Sequence, residues 1–216
     1  TLYFLLAGDT LHRLIGLGCV TFLLATHRAI KVYADTLQQN DDLTAELRQS
    51  NAEIRKLASS DFLTGLSNRR AFIETAEHQL AFCQRQGFPV ALLVIDLDHF
   101  KGINDQHGHL VGDQALTLAA HTLRERLRKS DICGRFGGEE FVALLPNTPA
   151  DGACHVAEII REAIAAQQLA VAGDTLQFTA SIGVAASSGE LNDLISRADQ
   201  ALYEAKRSGR NRVVLG

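Results

Sequence analysis

Hydrophobic and polar positions change their spacing several times along the chain, and the first 32 residues are the most apolar part. They contain two apolar blocks, Leu2–Ala7 and Leu14–Ala25, separated by a polar turn at residues 8–10. A membrane-spanning helix needs about 20 apolar residues, and the second block approaches that length when it is extended at both ends. Arg28 and Lys31 follow it, as basic residues often follow a span on the cytoplasmic side. We expect the C-terminal part of a membrane region here, with a buried amphipathic hairpin as the alternative.

Residues 33–58 lose the apolar run and become rich in Asn, Gln, Asp and Glu, with sparse Leu. A heptad register places Tyr33, Asn40, Leu47 and Ile54 at position a, and Thr36, Leu43, Ser50 and Leu57 at position d. This register predicts a parallel two-helix coiled coil in which the polar Asn40 fixes the alignment. A single solvated linker helix is the alternative, because the apolar seam is imperfect.

From Ser59 onward, helical and strand periodicities alternate as in a globular domain. The pattern predicts helices at Ser67–Gly87, Leu110–Lys129, Pro149–Gln167 and Leu191–Ser208. It predicts strands at Val90–Ile95, Ile132–Phe136, Phe141–Leu145, Leu176–Ala185 and Arg212–Leu215, with a hairpin turn at Gly137–Glu140. The uneven alternation indicates an α/β or α+β domain with a mixed sheet.

Composition excludes several classes of protein. With 46% hydrophobic and 21% charged residues, the chain is neither disordered nor a disulfide scaffold. A net charge of −4 argues against a nucleic-acid partner. The four cysteines show no zinc-ligand spacing, which fits reduced thiols in a cytosol. The chain begins with Thr1 and contains no Met, so we expect it to be a piece of a longer polypeptide.

Five sequence blocks after residue 58 carry candidate chemistry. They are Asp61–Arg70 (DFLTGLSNRR), Asp96–Asp113 (DLDHFKGINDQHGHLVGD), Gly137–Phe141 (GGEEF), Ser181–Val184 (SIGV) and Ala198–Asn211 (ADQALYEAKRSGRN). Asp96 at a strand end and Glu139 and Glu140 at a hairpin tip are placed to bind a hard divalent cation through oxygen. Gly137 and Gly138 permit positive φ and a close approach of phosphate to the backbone. Without the other blocks, an ordinary exposed hairpin would be the preferred interpretation of this turn.

In this order the five blocks resemble the GGDEF family of diguanylate cyclases, in its GGEEF form, over residues 59–216. The resemblance implies a nucleotide-cyclase or palm-like domain whose central mixed, mainly antiparallel sheet is flanked by helices. It implies an enzyme that condenses two GTP into cyclic di-GMP and two pyrophosphates at a homodimer interface, with Mg²⁺, or alternatively Mn²⁺, as cofactor. Together with the N-terminal segment it suggests a protein of the inner membrane with its catalytic domain in the cytoplasm. The alternatives are a catalytically silent module that binds GTP or cyclic di-GMP, and a membrane scaffold that only dimerises.

The resemblance assigns roles to the acidic residues one by one. Asp96, the backbone carbonyl of Leu97 and Glu139 are implied as metal ligands. Glu140 is implied either as a ligand of a second metal or as the acceptor of the 3′-hydroxyl proton. Which glutamate acts as the base stays open.

The resemblance also implies residues that bind the guanine base. Asn104 and Asp113 would hydrogen-bond its edge, since an amide can donate to O6 while a carboxylate accepts from N1–H and the 2-amino group. His109 would lie at or near the substrate, so that the pair formed with His107 is not interpreted as a metal site. A helix cap is the structural alternative for Asn104.

A third group is implied at the phosphates. Gly137 and Gly138 form the phosphate-accommodating turn, Lys101 stabilises charge, and Lys206 with Arg210 closes the site from the C-terminal helix. Basic residues are also favoured at a helix C-terminus without any ligand, which is the structural alternative for the last two.

Arg128 and Asp131 form an RxxD sequence directly before the first hairpin strand. In the resembling family this is an inhibitory site for the product, because Arg can pair with guanine or phosphate and Asp can accept from the guanine edge. The alternative is a helix C-terminus rich in cations. Arg161 on the following helix is a candidate second arginine of this site.

Overall fold

The structure is a computed structural model that describes residues 2, 10–57, 59–171, 174–186 and 189–216. The predicted apolar block Leu2–Ala7 and the polar turn at residues 8–10 therefore lie almost entirely outside the described residues. The chain divides into two compact units, Thr1–Ala58 and Ser59–Gly216.

The first unit contains the helix α1, Thr10–Leu57, which continues without a break through the apolar and the polar stretch. Its segment Arg13–Asn40, which contains an 18-residue window with a mean hydropathy of 1.3, is long and apolar enough to cross a membrane by length and composition. Large apolar side chains along it are exposed, among them Leu14, Leu17, Phe22 and Ile30. In the described part of this unit the block Leu14–Ala25 is thus not packed into a buried hairpin.

The second unit combines one six-stranded sheet with helices on both faces. Its helices are α2 (Arg69–Gln86), α3 (Phe100–His107), α4 (His109–Arg126), α5 (Ala150–Ala165) and α6 (Leu191–Arg207). Its strands are β1 (Ser67–Asn68), β2 (Val90–Leu97), β3 (Ile132–Gly137), β4 (Glu140–Pro146), β5 (Leu169–Val171), β6 (Asp174–Leu176), β7 (Ala180–Ala186) and β8 (Val213–Leu215). The sheet has the order β1-β3-β4-β2-β7-β8, while β5 and β6 pair separately. The three central pairings are antiparallel and the two edge pairings are parallel, which confirms the predicted mixed, mainly antiparallel sheet flanked by helices.

Strand β2 lies at the centre of the sheet and is buried along its whole length. Because side chains alternate between the two faces of a strand, Leu93 and Ile95 pack with α4 and α5, whereas Leu92 and Val94 pack with α2 and α6. The sheet thus has a hydrophobic layer on each face. The same alternation directs the side chain at position 96 towards the α2 and α6 face.

The observed elements correct several predicted boundaries. Helix α2 begins at Arg69 rather than Ser67, because Asn68 accepts a hydrogen bond from Ala71 N–H (3.0 Å) as N-cap and Ser67–Asn68 pairs with β3. Helix α4 ends at Arg126 rather than Lys129, because Leu127 adopts an extended backbone.

The predicted strand Leu176–Ala185 is also wrong in part. Leu176 ends β6 in the small hairpin, and β7 begins only at Ala180. Between them, the Thr179 carbonyl accepts the Asp98 N–H (2.8 Å), one position beyond Leu97 and Ala180, the last paired residues of β2 and β7. The short helix α3 and the strands β1 and β5 had no counterpart among the predicted elements.

Candidate nucleotide and metal site

The acidic hairpin and the end of β2 lie next to each other through the register of the sheet. Asp96 pairs directly with Glu140 across the β2–β4 ladder. Val94 and Val142 belong to the core layer facing α2 and α6, so the two carboxylate positions share that face. Leu97 N–H donates to the Glu139 carbonyl (3.4 Å), which places the turn over the strand end. The structure therefore brings together the segments that carry the predicted metal ligands.

The turn between β3 and β4 requires glycine at its first positions. Gly137 and Gly138 have φ values of 151° and 51°, in the region that side chains other than glycine rarely adopt. The Gly138 carbonyl accepts from Arg135 Nε (3.0 Å) and Nη2 (2.7 Å), which fixes the turn from its own strand.

Arg135 continues this network to the start of the domain, a link that the sequence alone did not reveal. Its Nη1 lies 3.1 Å from Asp61 Oδ1, which also accepts from the Thr64 hydroxyl (2.7 Å). Burial would raise the pKa of Asp61, but the hydrogen bonds from Thr64 and Arg135 outweigh it and hold that pKa below its ordinary value. The ionised carboxylate thus anchors the arginine that holds the glycine turn. Its signal in the sequence was an arginine on the hairpin strand, two residues before the glycines.

Asp96 is the most perturbed carboxyl group that the structure describes at this site. It is 5% exposed, and its Oδ2 lies 2.8 Å from Lys206 Nζ. Burial, together with the charges of Glu139 and Glu140, raises the pKa of Asp96 to about 6, although Lys206 acts in the opposite direction. A carboxylate that is buried and close to like charges gains from a cation beside it. Asp96 therefore suits a cation site.

The donor set fits a hard divalent cation in its chemistry, since it offers carboxylates and a backbone carbonyl. Glu139 is half-buried and Glu140 is exposed. Within residues 10–57, 59–171, 174–186 and 189–216, no three Asp, Glu, His or Cys side chains converge as a ready-made metal cluster. The side-chain positions favour the Lys206 ion pair on Asp96, and the metal-ligand roles of Asp96, Leu97, Glu139 and Glu140 stay predictions.

A cavity of about 290 Å³ borders these residues on the α2 and α6 face. Glu140 and Lys206 line it, together with Arg69, Phe136 and Asp199. Burial raises the pKa of Asp199 despite the nearby charges of Arg69 and Lys206. The Arg69 guanidinium carbon lies 5.0 Å from the centre of the Phe136 ring, so this side of the hairpin carries a fixed positive charge.

The predicted base-binding residues lie on α3 and α4. Asn104 is half-buried and contacts Gly112, the residue directly before Asp113. Asp113 is exposed and lines a groove of about 680 Å³ with Leu63, Leu110 and Leu169, whereas Asn104 is not among the residues lining that groove. Lys101 and His109 are exposed, as is Arg210 beyond the end of α6. The structure thus places Asn104 beside the residue that precedes Asp113, and Asp113 itself lines the groove.

Gly112 gives Asn104 the room for its position, and we expect Gly112→Ala to weaken GTP binding. A Cβ at residue 112 would overlap Asn104 Oδ1 and approach Phe100 Cζ to 3.2 Å, so the carboxamide would have to move. We expect a loss of about tenfold in GTP affinity, the order of one hydrogen bond to a buried group. Gly102→Ala on α3 is the matched control, because a Cβ there meets nothing within 4 Å. Calorimetric titration of both variants checks this, and unchanged affinity of Gly112→Ala would contradict the assigned position of Asn104.

The predicted inhibitory sequence forms a tight turn between α4 and β3. Asp131 Oδ2 accepts the Arg128 N–H (2.8 Å), and Asp131 N–H donates to the Arg128 carbonyl (3.0 Å). Arg128 is exposed and lies two residues beyond the last residue of α4. It is therefore not part of the helix C-terminus that was the alternative explanation for this basic residue. Arg161 is engaged elsewhere, with Glu158 Oε2 at 2.6 Å and Asn211 Oδ1 at 2.9 Å.

The fold and this geometry define a class: an α/β domain whose mainly antiparallel sheet carries a glycine-rich acidic hairpin beside a buried strand-end aspartate. The family profile described as "Diguanylate cyclase, GGDEF domain" matches residues 58–212, and the chain belongs to this family.

Curated relatives and a solved structure agree with this membership. The chain is 48% identical over 161 residues to "Diguanylate cyclase DgcP" of Pseudomonas aeruginosa, covering 74% of this chain and 24% of that protein. It is 42% identical over 193 residues to "Diguanylate cyclase DgcM" of Escherichia coli, covering 86% of this chain and 45% of that protein. The crystal structure of the GGDEF domain of DgcB from Caulobacter crescentus in complex with c-di-GMP matches with a TM-score of 0.71 and 34% identity, over 73% of this chain and 95% of that chain. The chain thus spans less than half the length of these two curated relatives.

Proposed function

We propose that residues 59–216 are a catalytically active diguanylate cyclase that converts two GTP into cyclic di-GMP and two pyrophosphates. The observation that carries this proposal is the pairing of Asp96 with Glu140 on one face of the sheet, with Lys206 2.8 Å from Asp96. The acidic and basic groups that the reaction needs are thus present together at one strand end. The intact GGEEF sequence supports the same conclusion.

The first group of proposed site residues holds the metal ion. Asp96, the Leu97 carbonyl and Glu139 would hold Mg²⁺, or alternatively Mn²⁺, at the strand end, and Glu140 would complete the site. When bound, the cation neutralises charge on the phosphates and lowers the pKa of the attacking hydroxyl.

Basic and polar residues would position the nucleotide around that centre. Lys101, Lys206 and Arg210 would hold the phosphates by charge-assisted hydrogen bonds. Asn104 and Asp113 would hold the guanine edge, with His109 close to the substrate. Catalysis is then mainly positioning and electrostatic stabilisation.

Two copies of the domain are needed, because each bound GTP must present its 3′-hydroxyl to the α-phosphate of the other. We propose a homodimer aligned by a parallel coiled coil of residues 33–58. The apolar residues up to position 32, which include most of the segment Arg13–Asn40, would anchor it in the inner membrane, with residues 59–216 in the cytoplasm. A signal that changes the helix register would then shift the population of the productive dimer.

The proposal is tested by incubating the full chain with GTP and MgCl₂ and separating the products by chromatography. We expect cyclic di-GMP and pyrophosphate in a ratio of one to two, and no product when EDTA replaces the metal. ATP serves as the control nucleotide. GTP binding without product at dimer-forming concentrations would instead support the silent binding module.

We further propose that Arg128 and Asp131 bind the product and inhibit the enzyme, and we expect Arg128→Ala to relieve this inhibition. The Arg128 side chain is exposed, while Asp131 fixes its backbone. Loss of a bidentate contact to guanine or phosphate should raise the inhibitory concentration of cyclic di-GMP by about 10- to 100-fold. Initial rates at increasing cyclic di-GMP measure this, with Lys129→Ala as the neighbouring control. An unchanged inhibition curve for Arg128→Ala would refute the site.

A further inference from the structure

Asp98 is a buried carboxylate for which the proposed chemistry has no use. It is 4% exposed and lies two residues after Asp96, just beyond the end of β2. Its Oδ1 accepts from Ser181 Oγ (2.7 Å), and its Oδ2 accepts from Thr179 Oγ1 (2.7 Å) and from the Asn211 backbone N–H (3.0 Å). Both carboxylate oxygens are thus occupied by donors from β7, from the residue just before it and from the loop after α6, which is how a buried charge is tolerated.

The loop that Asp98 contacts has an unusual backbone. Gly209, Arg210 and Asn211 have φ values of 114°, 62° and 45°. For residues other than glycine this left-handed conformation is unfavourable and persists only where surrounding contacts impose it. Those contacts are visible here: Arg210 N–H donates to the Ala205 carbonyl (3.0 Å), and the Asn211 N–H donates to Asp98.

We propose that Asp98 is a positioning residue that holds the backbone of Arg210, so that its guanidinium reaches the nucleotide phosphates. This inference rests on the proposed function, in which Arg210 binds phosphate. Asp98 holds the peptide N–H that directly follows Arg210, while Asp96 on the same strand end pairs with Lys206. One strand end therefore contacts both basic residues proposed to bind phosphate from the C-terminal segment, Lys206 through its side chain and Arg210 through the peptide N–H that follows it.

Arg161 supports the same loop from the opposite side. Its Nη1 donates to Asn211 Oδ1 (2.9 Å), and its Nε lies 2.6 Å from Glu158 Oε2. The Asn211 side chain thus accepts a hydrogen bond from Arg161, and the Asn211 backbone N–H donates one to Asp98. This assigns Arg161 a role at the loop in place of the predicted second arginine for the product.

The proposal is tested by a double-mutant cycle between Asp98→Asn and Arg210→Ala in the full chain, read out as GTP affinity. We expect each single variant to weaken GTP binding by about tenfold, the order of one charge-assisted hydrogen bond, and the double variant to be no weaker than Arg210→Ala. Guanosine binding should be almost unchanged, because guanosine has no phosphate for Arg210 to contact. Asp193→Asn at the other end of α6 is the control for the loss of one acidic charge.

The possible outcomes separate this inference from the proposed function. Unchanged GTP affinity of Arg210→Ala would remove the phosphate role of Arg210 and with it the proposed site. If Arg210→Ala weakens binding but Asp98→Asn does not, or Asp98→Asn causes the same loss in both backgrounds, the positioning role of Asp98 is wrong. Should Asp98→Asn not fold, Thr179→Val removes one hydroxyl from Oδ2 and keeps the charge. We expect Thr179→Val to lower GTP affinity by only about twofold, and this loss must also disappear in the Arg210→Ala background.

Discussion

Replacing Glu140 by Ala is expected to abolish cyclic di-GMP formation while leaving the fold intact. Glu140 is exposed at the start of β4 and lies opposite Asp96 in the ladder. Loss of a general base or of a carboxylate at the cation lowers the rate by about 10²- to 10⁴-fold. Substitution of an exposed side chain changes the free energy of unfolding by only about 0.5 kcal/mol or less. Activity and stability should therefore separate completely in this variant.

Product formation from GTP and Mg²⁺, thermal unfolding and GTP binding should be measured on the same preparation. Glu140→Gln separates the charge from the shape of the side chain and should be nearly as inactive. Glu125→Ala on α4 removes another exposed glutamate and should retain full activity. A Glu140→Ala variant that retains more than a tenth of the wild-type rate would exclude Glu140 from the catalytic centre.

The sequence predicted most of the sheet, because its central strands are continuous apolar runs bounded by turns. Val90–Ile95 and the two hairpin strands were predicted within two residues of their observed ends. Period and turn chemistry are local properties, so they can be recognised without knowledge of the tertiary fold. The predicted Leu176–Ala185 strand was wrong for the opposite reason. Its two parts pair with different partners, β6 with β5 and β7 with β2, and pairing between separate segments is not a local property.

For the candidate site too, the sequence predicted what depends on local motifs and not what depends on long-range contacts. Motif spacing identified Asp96, Glu139, Glu140 and Lys206, because these residues belong to recognisable blocks. The supporting contacts were not predicted. Arg135 and Asp61 hold the glycine turn, Asp98 bonds the loop after α6, and Gly112 leaves room for Asn104, in each case through another segment of the chain. A sequence shows the type of a side chain but not which distant backbone group it bonds. The roles of these supporting residues therefore emerged only from the structure.

Replacing Asp96 by Asn is expected to stabilise the fold at neutral pH and to abolish activity. The folded-state pKa of Asp96 is raised from 3.8 to about 6, so the folded protein holds this proton more tightly than the unfolded chain. The tighter binding of this proton stabilises the folded state fully below pH 3.8, and that stabilisation is lost as the pH rises through about 6. At pH 7.5 the ionised side chain therefore opposes folding, by at most about 3 kcal/mol at about 1.4 kcal/mol for each pKa unit. The neutral Asn removes that penalty, although Lys206 loses its partner, and we expect a net gain of about 1–2 kcal/mol.

Denaturant unfolding of the wild type and of Asp96→Asn in EDTA, at pH 7.5 and at pH 4, measures this effect. The gain should be present at pH 7.5 and vanish at pH 4, where wild-type Asp96 is largely protonated in the folded state. Adding MgCl₂ at pH 7.5 should stabilise the wild type by mass action and stabilise the variant much less, since the variant lacks one of the proposed carboxylate ligands. Asp98→Asn is the contrasting variant: the Asp98 carboxylate accepts three hydrogen bonds, and the amide NH₂ that replaces one oxygen cannot accept any of them, which should destabilise the fold by about 1–3 kcal/mol. If Asp96→Asn is less stable than the wild type at pH 7.5, the Lys206 ion pair outweighs burial, and Asp96 is a structural residue rather than a strained ligand.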